Sequence, residues 1–292
     1  MKIEIKDVTK SFGGLKALNN LSLSITKGTI FGLLGVNGAG KSTLLSILNG
    51  LSKIDSGSVE VFGMDMTKDR KKVKKISSIV PQNLAFYEQL TVKENLDFFA
   101  DIQNATKEDY DRAIEINTLS EILDQEASTL SGGQKRRLNI AIGILNAPEI
   151  IYFDEPTVGI DPKSRNEILD SIKSYKAMGI TVIYTSHYMN EIERICDEVA
   201  IISKGQLVKQ DTLENLLNSD SSDKILIDVI YEDSLDFEGL NVVADSVIET
   251  TKTSLTTVLD MLDKRGIAIK EIRYGVNSLE SHFLDLTGDA NV

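Results

Sequence analysis

The chain has 292 residues, of which 26% are charged and 41% are hydrophobic, and its formal net charge is -12. This composition is typical of a globular protein with one large domain or two modest ones, and the acidic balance disfavours nonspecific binding of DNA. The sequence has no run of 18 or more apolar residues, the length that could cross a bilayer. The single cysteine, Cys196, excludes internal disulfides and cysteine-cluster metal sites and favours a reducing cytoplasm.

The first part of the chain consists of alternating or short apolar segments, which are typical of strands. Strands are predicted over residues 3–8, 21–25, 29–35, 58–62 and 76–80, and a short helix over residues 41–48. The alternating N-terminus is thus interpreted as a strand and not as a signal peptide. From about residue 91 to 123 the pattern is helical, and Thr91 and Glu94 form a capping box that opens one helix.

Strand and helix then alternate with short connections, which favours a mostly parallel sheet covered by helices. The predicted order is strand 149–153, helix 162–178, strand 180–185, helix 188–194 and strand 198–203. Asp161 and Pro162 are expected to begin the long helix and Gly179 to end it. The helical stretch over about residues 84–147 interrupts the sheet and is expected to form an inserted subdomain.

The acidic charge is concentrated near the C-terminus. Residues 219–292 carry 15 acidic and 6 basic side chains, a net of -9, whereas residues 1–218 carry 29 and 26, a net of -3. The small polar stretch "NSDSSD" at this point favours a boundary, so we predict domains over residues 1–218 and 219–292. Strands over 224–230, 241–249 and 267–274 and helices over 254–265 and 278–286 predict a small α+β appendage.

A glycine-rich turn lies between the strand at 29–35 and the following helix. Its sequence "GVNGAGKS" matches the phosphate-binding pattern G-x-x-x-x-G-K-[ST] in the context that the pattern requires. Gly35, Gly38 and Gly40 let backbone N–H groups turn towards phosphate oxygens. Lys41 is expected to reach the β- and γ-phosphates of ATP, and Ser42 to contact Mg²⁺. The predicted ATP-binding set also includes Val36, Asn37, Ala39 and Thr43; the alternative is a glycine turn with an incidental lysine.

Two carboxylates and a histidine follow apolar strands at the same expected sheet edge. Asp154 and Glu155 end "EIIYFDEP", and ligands of open α/β sheets collect at the carboxyl ends of strands. Asp154 is expected to meet Mg²⁺, and Glu155 to orient and deprotonate the attacking water. His187 is expected to contact the γ-phosphate and hold Glu155 in line. The alternatives are acids that cap a turn and a histidine satisfied at a strand end; His282 is expected to be structural.

The motifs together resemble an ATP-binding cassette (ABC) ATPase subunit. They are "GVNGAGKST", Gln82 in "IVPQNL", "LSGGQ", "IIYFDEP", "GIDP" and His187, and they occur in the order and approximate spacing of that family. The resemblance covers residues 1 to about 215, and "LSGGQ" is the family's own signature. It implies a P-loop NTPase cassette with a mostly parallel core sheet, N-terminal antiparallel strands and an inserted helical subdomain.

The resemblance also implies a head-to-tail dimer, in which the signature of one chain covers the γ-phosphate held by the P-loop of the other. The signature residues here are Ser131, Gly132, Gly133 and Gln134. A hydroxyl and bare backbone at a helix N-terminus are suited to hold an anion. The basic run over 135–137 is interpreted as a solvated or intersubunit surface.

Further roles are carried over by position. Gln82 resembles the glutamine that contacts Mg²⁺ and senses the γ-phosphate, so the predicted Mg²⁺ contacts are Ser42, Gln82 and Asp154. Asp161 resembles the aspartate that communicates between the two sites, although "VGIDP" replaces the family's usual serine-alanine-leucine-aspartate loop. Phe12 falls where the family stacks an aromatic ring on adenine; the alternative is plain packing.

The resemblance implies that such an ATPase drives separate membrane subunits. Phe86, Tyr87 and Leu90 could line a groove for a helix of an integral membrane permease, or they could pack the helical subdomain. The segments "YEQLTVKENLDFF" and "NSLESHFLDLTG" resemble the drug-resistance and polysaccharide-export branch. We therefore expect an export ATPase on the cytoplasmic face of the membrane, a second ABC subunit as partner (a homodimer is expected) and no nucleic acid. The alternatives are a non-transport ABC ATPase in assembly or regulation, and a regulatory module that binds ATP without hydrolysis.

Overall fold

The structure is a computed structural model that describes residues 1–218, 224–230, 239–244, 246–251, 253–274, 279 and 283. The chain divides into two compact units, Met1–Leu213 and Glu214–Asn291. The helix predicted over 278–286 and its His282 lie outside the described residues, apart from Leu279 and Phe283. Among the residues described, no helix combines the length and apolar character needed to cross a membrane.

The first unit begins with strands and one short helix of the P-loop region. In chain order these elements are β1 (Lys2–Phe12), β2 (Leu15–Thr26), β3 (Ile30–Leu34), α1 (Lys41–Leu48), β4 (Ser56–Val61), β5 (Met64–Asp65), α2 (Arg70–Lys75) and β6 (Ser77–Val80). The strands β2, β1, β4 and β5 form an antiparallel sheet in that order. Sequence reasoning missed β5 and α2, which are too short to show a period.

Three helices separate this region from the rest of the core. The elements that follow β6 are α3 (Val92–Gln103), α4 (Lys107–Ile116), α5 (Gly132–Ile144), β7 (Ile150–Asp154), α6 (Pro162–Ala177), β8 (Thr181–Thr185), α7 (Met189–Ile195), β9 (Glu198–Ser203), β10 (Gln206–Thr212) and α8 (Leu213–Asn218). The predicted capping box is confirmed, because the Thr91 hydroxyl accepts from Glu94 N and the Glu94 carboxylate accepts from Thr91 N.

The core sheet has six strands in the order β10-β9-β3-β8-β7-β6. The five strands from β9 to β6 are parallel, and only β10 at the edge is antiparallel to its neighbour. The three central strands, β3, β8 and β7, are buried on both faces, which explains why they are largely apolar runs in the sequence. Their carboxyl ends meet at one edge, so the P-loop after β3 and the segments after β6, β7 and β8 lie side by side. The predicted α/β cassette fold is confirmed.

The second unit has its own sheet and core. It includes most of α8, and its further elements are β11 (Lys224–Val229), β12 (Val242–Ala244), β13 (Val247–Thr251), α9 (Leu255–Lys264) and β14 (Ile269–Tyr274), with the strand order β12-β13-β11-β14. Ile225, Ile227, Ile248 and Leu262 are buried in its core. The single strand predicted over 241–249 is two antiparallel strands, because an alternating pattern looks the same on both sides of a reversal.

Replacing Thr91 with alanine removes the acceptor that caps α3. We expect the variant to lose about 1 kcal/mol of unfolding free energy, the usual cost of deleting such a cap. The measurement is the urea midpoint followed by circular dichroism. Asp101→Ala, an exposed change in the last turn of the same helix, is the control and should leave the midpoint unchanged or raise it. An equal loss in both variants would contradict the capping role.

Candidate nucleotide-binding site

The P-loop requires glycine because other backbone comes close to it. A Cβ added to Gly35 would lie 2.5 Å from the carbonyl oxygen of Ile202, and one added to Gly40 would lie 2.5 Å from that of Ala17. Gly40 also has a φ of 108°, which favours glycine. Gly38 has a positive φ of 80° with open space around its Cβ position. Gly35 and Gly40 therefore let the loop pack closely against neighbouring backbone, and Gly38 lets the loop adopt a positive φ.

Lys41 is the first residue of α1, and its ammonium group reaches back into this loop. Its Nζ donates to the carbonyl oxygens of Gly35 at 2.6 Å and Val36 at 3.3 Å, and the residue is buried. Burial lowers the pKa of the Lys41 ammonium, while the negative charges of Glu155 and Asp154 act in the opposite direction. The loop thus holds a buried cation beside two carboxylates, at the start of a helix whose N-terminus favours anions.

Thr185 at the end of β8 holds the two predicted carboxylate residues. Its buried hydroxyl donates to Asp154 Oδ1 at 3.0 Å and accepts from the backbone N–H of Glu155 at 3.0 Å. Asp154 Oδ1 also lies 3.4 Å from the Ser42 hydroxyl. Sequence reasoning missed Thr185; the available signal was a polar residue at the end of an otherwise apolar strand.

Glu155 and His187 are neighbours at the sheet edge. Glu155 has a positive φ of 47°, a conformation that costs a residue other than glycine about 1–3 kcal/mol. Its Oε2 lies 3.6 Å from His187 Nδ1, which is close for an ion pair but long for a hydrogen bond. The imidazole packs on the Tyr188 ring with 4.2 Å between centroids. His187 therefore lies beside the predicted base, as the sequence suggested.

A cleft of about 740 Å³ opens over the P-loop, within the size range of small-molecule sites. Its lining includes Phe12, Lys16, Asn37, Gln82, Glu155 and Lys204, together with the P-loop residues from Gly38 to Thr43. Phe12 is 54% exposed, with Lys10 Nζ 5.1 Å from its ring centroid. This exposure leaves a face of the ring free for a flat ligand group, which plain core packing would not.

The signature residues form a second capping box. The Ser131 hydroxyl accepts from Gln134 N at 3.3 Å, and the Gln134 side chain accepts from Ser131 N at 2.9 Å. Asp161 caps α6 by accepting from Ser164 N at 3.0 Å, and buried Gly133 packs against the same Ser164. None of these residues is among those that line the P-loop cleft. The structure therefore brings together the P-loop, Gln82, the carboxylates and His187, and places the signature and Asp161 elsewhere.

The interpretation of the basic run over 135–137 as solvated is wrong for Arg136, whereas its interpretation as an intersubunit surface stays a prediction. Arg136 is 4% exposed and donates to the carbonyl oxygens of Pro81 at 2.8 Å and Gln82 at 2.5 Å. Lys135 and Arg137 are also largely covered and pair with carboxylates of the same chain. Arg136 instead fastens α5 to the segment that carries Gln82, and Arg137 pairs with Glu167 on α6.

The segment after Gln82 presents an aromatic surface. Tyr87 is 49% exposed and meets the ring of Phe98 edge-on at 5.1 Å and that of Phe99 at 6.2 Å. Buried Asn95, which sequence reasoning missed, bonds both the N–H and the carbonyl of Tyr87. Tyr87 thus packs on the helical subdomain and also remains accessible, whereas Phe86 is only partly exposed.

Comparison with known proteins agrees with this geometry. The family model described as ABC transporter matches residues 18–158. The chain is 41% identical over 228 residues to the linearmycin resistance ATP-binding protein LnrL of Bacillus subtilis, covering 77% of this chain and 73% of that one. It is 33% identical over 302 residues to the bacitracin transport ATP-binding protein BcrA of Bacillus licheniformis, covering 99% and 98%.

Solved structures of ATP-binding cassettes are also similar to this chain. A dimeric ATP-binding cassette in a post-hydrolysis state, bound to ADP and Pi, matches with a TM-score of 0.64 and 26% identity, covering 72% of this chain and 98% of that one. The fold is therefore that of an ATP-binding cassette. The chain belongs to the ABC transporter family of ATP-binding proteins.

The two signature glycines should respond differently to an added methyl group. A Cβ on Gly133 would lie 2.2 Å from Ser164 Oγ and 2.4 Å from Ser164 Cβ, so α5 and α6 must move apart. A Cβ on Gly132 would lie 3.8 Å from its nearest neighbour, an ordinary contact. We expect Gly133→Ala to lose about 1–3 kcal/mol of unfolding free energy and Gly132→Ala to lose none. Urea unfolding of both variants measures this, and equal stability would contradict the packing.

Proposed function

We propose that this chain is the ATP-hydrolysing subunit of an exporter and acts with separate integral membrane permease subunits. The observation that carries the proposal is the convergence of Lys41, Asp154, Glu155 and His187 at one edge of a parallel sheet. Relatives named for linearmycin resistance and for bacitracin transport favour export. Residues 1–218 would be the ATPase domain and residues 219–292 an accessory domain.

ATP would lie in the cleft over the P-loop. The exposed ring of Phe12 lines this cleft and would stack on adenine. The backbone N–H groups of the P-loop and the Lys41 ammonium would hold the phosphates. Lys41 would exchange its carbonyl acceptors for phosphate oxygens, which are stronger partners because they are charged.

The residues at the base of the cleft are suited to Mg²⁺. The Ser42 hydroxyl and the Asp154 carboxylate lie 3.4 Å apart, and oxygen atoms are the ligands that Mg²⁺ prefers. Gln82 supplies a further side-chain oxygen on the same cleft. When bound with ATP, the ion would neutralise charge on the phosphate oxygens. Asp154 is kept in place for this role by Thr185.

Glu155 is the proposed general base. It would accept a proton from a water whose oxygen attacks the γ-phosphorus; the bond to the β–γ bridging oxygen breaks, and ADP and phosphate leave. His187, 3.6 Å away, would hold the Glu155 carboxylate and the γ-phosphate in line. Thr185 accepts a hydrogen bond from the backbone N–H of Glu155, which holds the main chain of the proposed base in place.

A second copy would complete each site. Ser131, Gly132 and Gly133 do not line the cleft of their own chain, and the P-loop holds phosphates from one side only. The signature of the partner subunit would hold the far side of the γ-phosphate in a head-to-tail homodimer. Related cassettes described as dimeric support this arrangement.

The aromatic surface around Tyr87 would receive a helix of the permease. Tyr87 and Phe98 are both exposed there, and Arg136 connects the signature helix to the adjoining Gln82 segment. A change in the contact between Gln82 and nucleotide would thus be transmitted to the permease-binding surface through directly connected segments. The assembly would be peripheral on the cytoplasmic face of the membrane.

Glu155→Gln should lower the rate of ATP hydrolysis by about 10²–10³-fold, the scale of losing one aligned catalytic group. Because binding groups remain, the variant should accumulate as an ATP-bound dimer. A phosphate-release assay and light scattering with ATP measure the two effects.

Lys41→Ala is the control for the Glu155→Gln experiment. It should bind no detectable ATP, and so should neither hydrolyse ATP nor dimerise with it. Hydrolysis by Glu155→Gln at the wild-type rate would show that Glu155 is not the base, and micromolar ATP affinity in Lys41→Ala would contradict the P-loop assignment.

Tyr87→Glu should release the chain from its membrane subunit, because it places a charge in the proposed apolar contact. We expect detergent co-purification of the integral membrane partner to fall at least about tenfold, equivalent to about 1.4 kcal/mol. ATP hydrolysis by the isolated chain should be unchanged. Leu51→Glu, a charge at another exposed apolar position, is the matched control and should retain the partner. Equal retention by both variants would exclude the Tyr87 surface.

A further inference from the structure

A buried carboxylate lies behind the site and takes no part in the steps above. Glu191 on α7 is 1% exposed. Its Oε2 accepts hydrogen bonds of 2.8 Å from the hydroxyls of Thr157, Tyr184 and Ser186. Burial, and after it the charge of Glu191, raises the pKa of the Tyr184 phenol, which therefore stays a donor.

Two of the three donors, Thr157 and Ser186, belong to the loops that carry the proposed chemistry, and the third, Tyr184, lies on β8. Thr157 is two residues after Glu155, and Ser186 immediately precedes His187. The Ser186 hydroxyl also accepts from the backbone N–H of Tyr188 at 2.9 Å, which fixes the backbone on the other side of His187. One carboxylate oxygen is thus bonded to both loops.

The second oxygen of Glu191 extends the connection to α6. Arg165 Nε lies 3.4 Å from Glu191 Oε1 as an ion pair, without hydrogen-bond geometry. The Arg165 guanidinium also lies 4.7 Å from the centroid of the Tyr188 ring, and its NH2 group donates to the carbonyl oxygen of Ile160 at 3.4 Å. Ile160 directly precedes Asp161, so the network reaches that residue as well.

Burying a charged side chain costs free energy, because the charge loses its contact with water. A well-packed apolar residue stabilises a fold as well or better, and the best-attested role of buried polar groups is to select one arrangement. The groups that Glu191 connects are those whose relative positions matter for hydrolysis, since a misplacement of about 1 Å can cost about 10²-fold in rate.

We infer that Glu191 is a positioning residue, which holds the loop of Glu155, the loop of His187 and the start of α6 as one unit. The inference rests on the proposed function, in which Glu155 and His187 act together. Glu191 is buried and does not line the P-loop cleft. It acts through Thr157 and Ser186, and through Tyr184, whose hydroxyl also lies 3.4 Å from that of Thr157. Loss of any of these links should therefore alter turnover and leave nucleotide binding alone.

The test removes single hydroxyls from the network of the full-length chain. Thr157→Val and Tyr184→Phe should each lower kcat for ATP by about tenfold or more, with KM within about twofold, because the P-loop contacts are untouched. Thr157→Ser keeps the hydroxyl and should restore kcat.

The matched control is Tyr175→Phe. Tyr175 is also fully buried, donates its hydroxyl to Asn117 Oδ1 at 3.0 Å and, like Tyr184, packs near the Phe153 ring. It should lose comparable stability with no change in kcat. If kcat falls as much in Tyr175→Phe as in Tyr184→Phe, or if KM rises as kcat falls, Glu191 has no positioning role.

A second readout does not depend on turnover. The chain has 2 histidines, so the His187 imidazole proton is easily assigned by NMR, and its shift reports the position of the Tyr188 ring 4.2 Å away. Thr157→Val, a change on the Glu155 loop, should move the His187 signal, and Thr157→Ser, which keeps the hydroxyl, should leave it in place. An unmoved His187 signal would overturn the coupling of the two loops.

The outcomes separate this inference from the proposed function. If the wild type hydrolyses ATP, Lys41→Ala does not and Thr157→Val matches the wild type, the proposed function stands and the role of Glu191 is rejected. If the wild type binds no ATP, both are rejected.

Discussion

The site depends on the parallel register of four adjacent strands. Leu33 of β3 and Asp154 of β7 are both paired with Thr185 of β8, and Val80 of β6 is paired with Phe153. Neighbouring strands lie about 4.8 Å apart, so residues that follow these positions emerge within reach of one another. A slip of one residue would turn Thr185 to the other face of the sheet and separate it from both carboxylate residues.

Charge balance then decides how the site is arranged. The buried Lys41 ammonium would be costly alone, and the nearby Asp154 and Glu155 carboxylates offset its loss of water. The same carboxylates would repel a polyphosphate, so a divalent cation and the N-terminus of α1 are needed if a nucleotide is to lie between them. The arrangement thus suits an ATP–Mg²⁺ complex better than a bare anion.

The sequence was sufficient to predict the core strands and the loops between them, because buried parallel strands are apolar runs and the motif residues are consecutive. It failed where the deciding partner is distant along the chain. Thr185, Arg136 and Glu191 each act through contacts with residues about thirty or more positions away. Arg136 in particular lies in a basic run that looks solvated, since a sequence does not show which carbonyls will cover a guanidinium.

Glu191 and Arg136 are two buried charged residues that each connect separate segments of the site. Arg136 joins the signature helix to the Gln82 segment, and Glu191 with Arg165 joins the loops of Glu155 and His187 to the start of α6. In each connection a buried charged side chain forms directional hydrogen bonds with its partners. Such bonds favour movement of the joined segments as rigid units. Loss of γ-phosphate in the proposed cycle would then move each set of joined segments together, in one discrete step.

Gly132 supplies an independent argument for a second copy. Gly133 must be glycine because Ser164 leaves no room for a Cβ. Gly132 is exposed, and a Cβ added there would make only an ordinary contact of 3.8 Å with Ile160. Its backbone is not among those with positive φ, so nothing within the described chain requires glycine there. Bare backbone at an exposed helix N-terminus is explained if another molecule's anion approaches it closely, and the γ-phosphate held by the partner subunit would be such an anion.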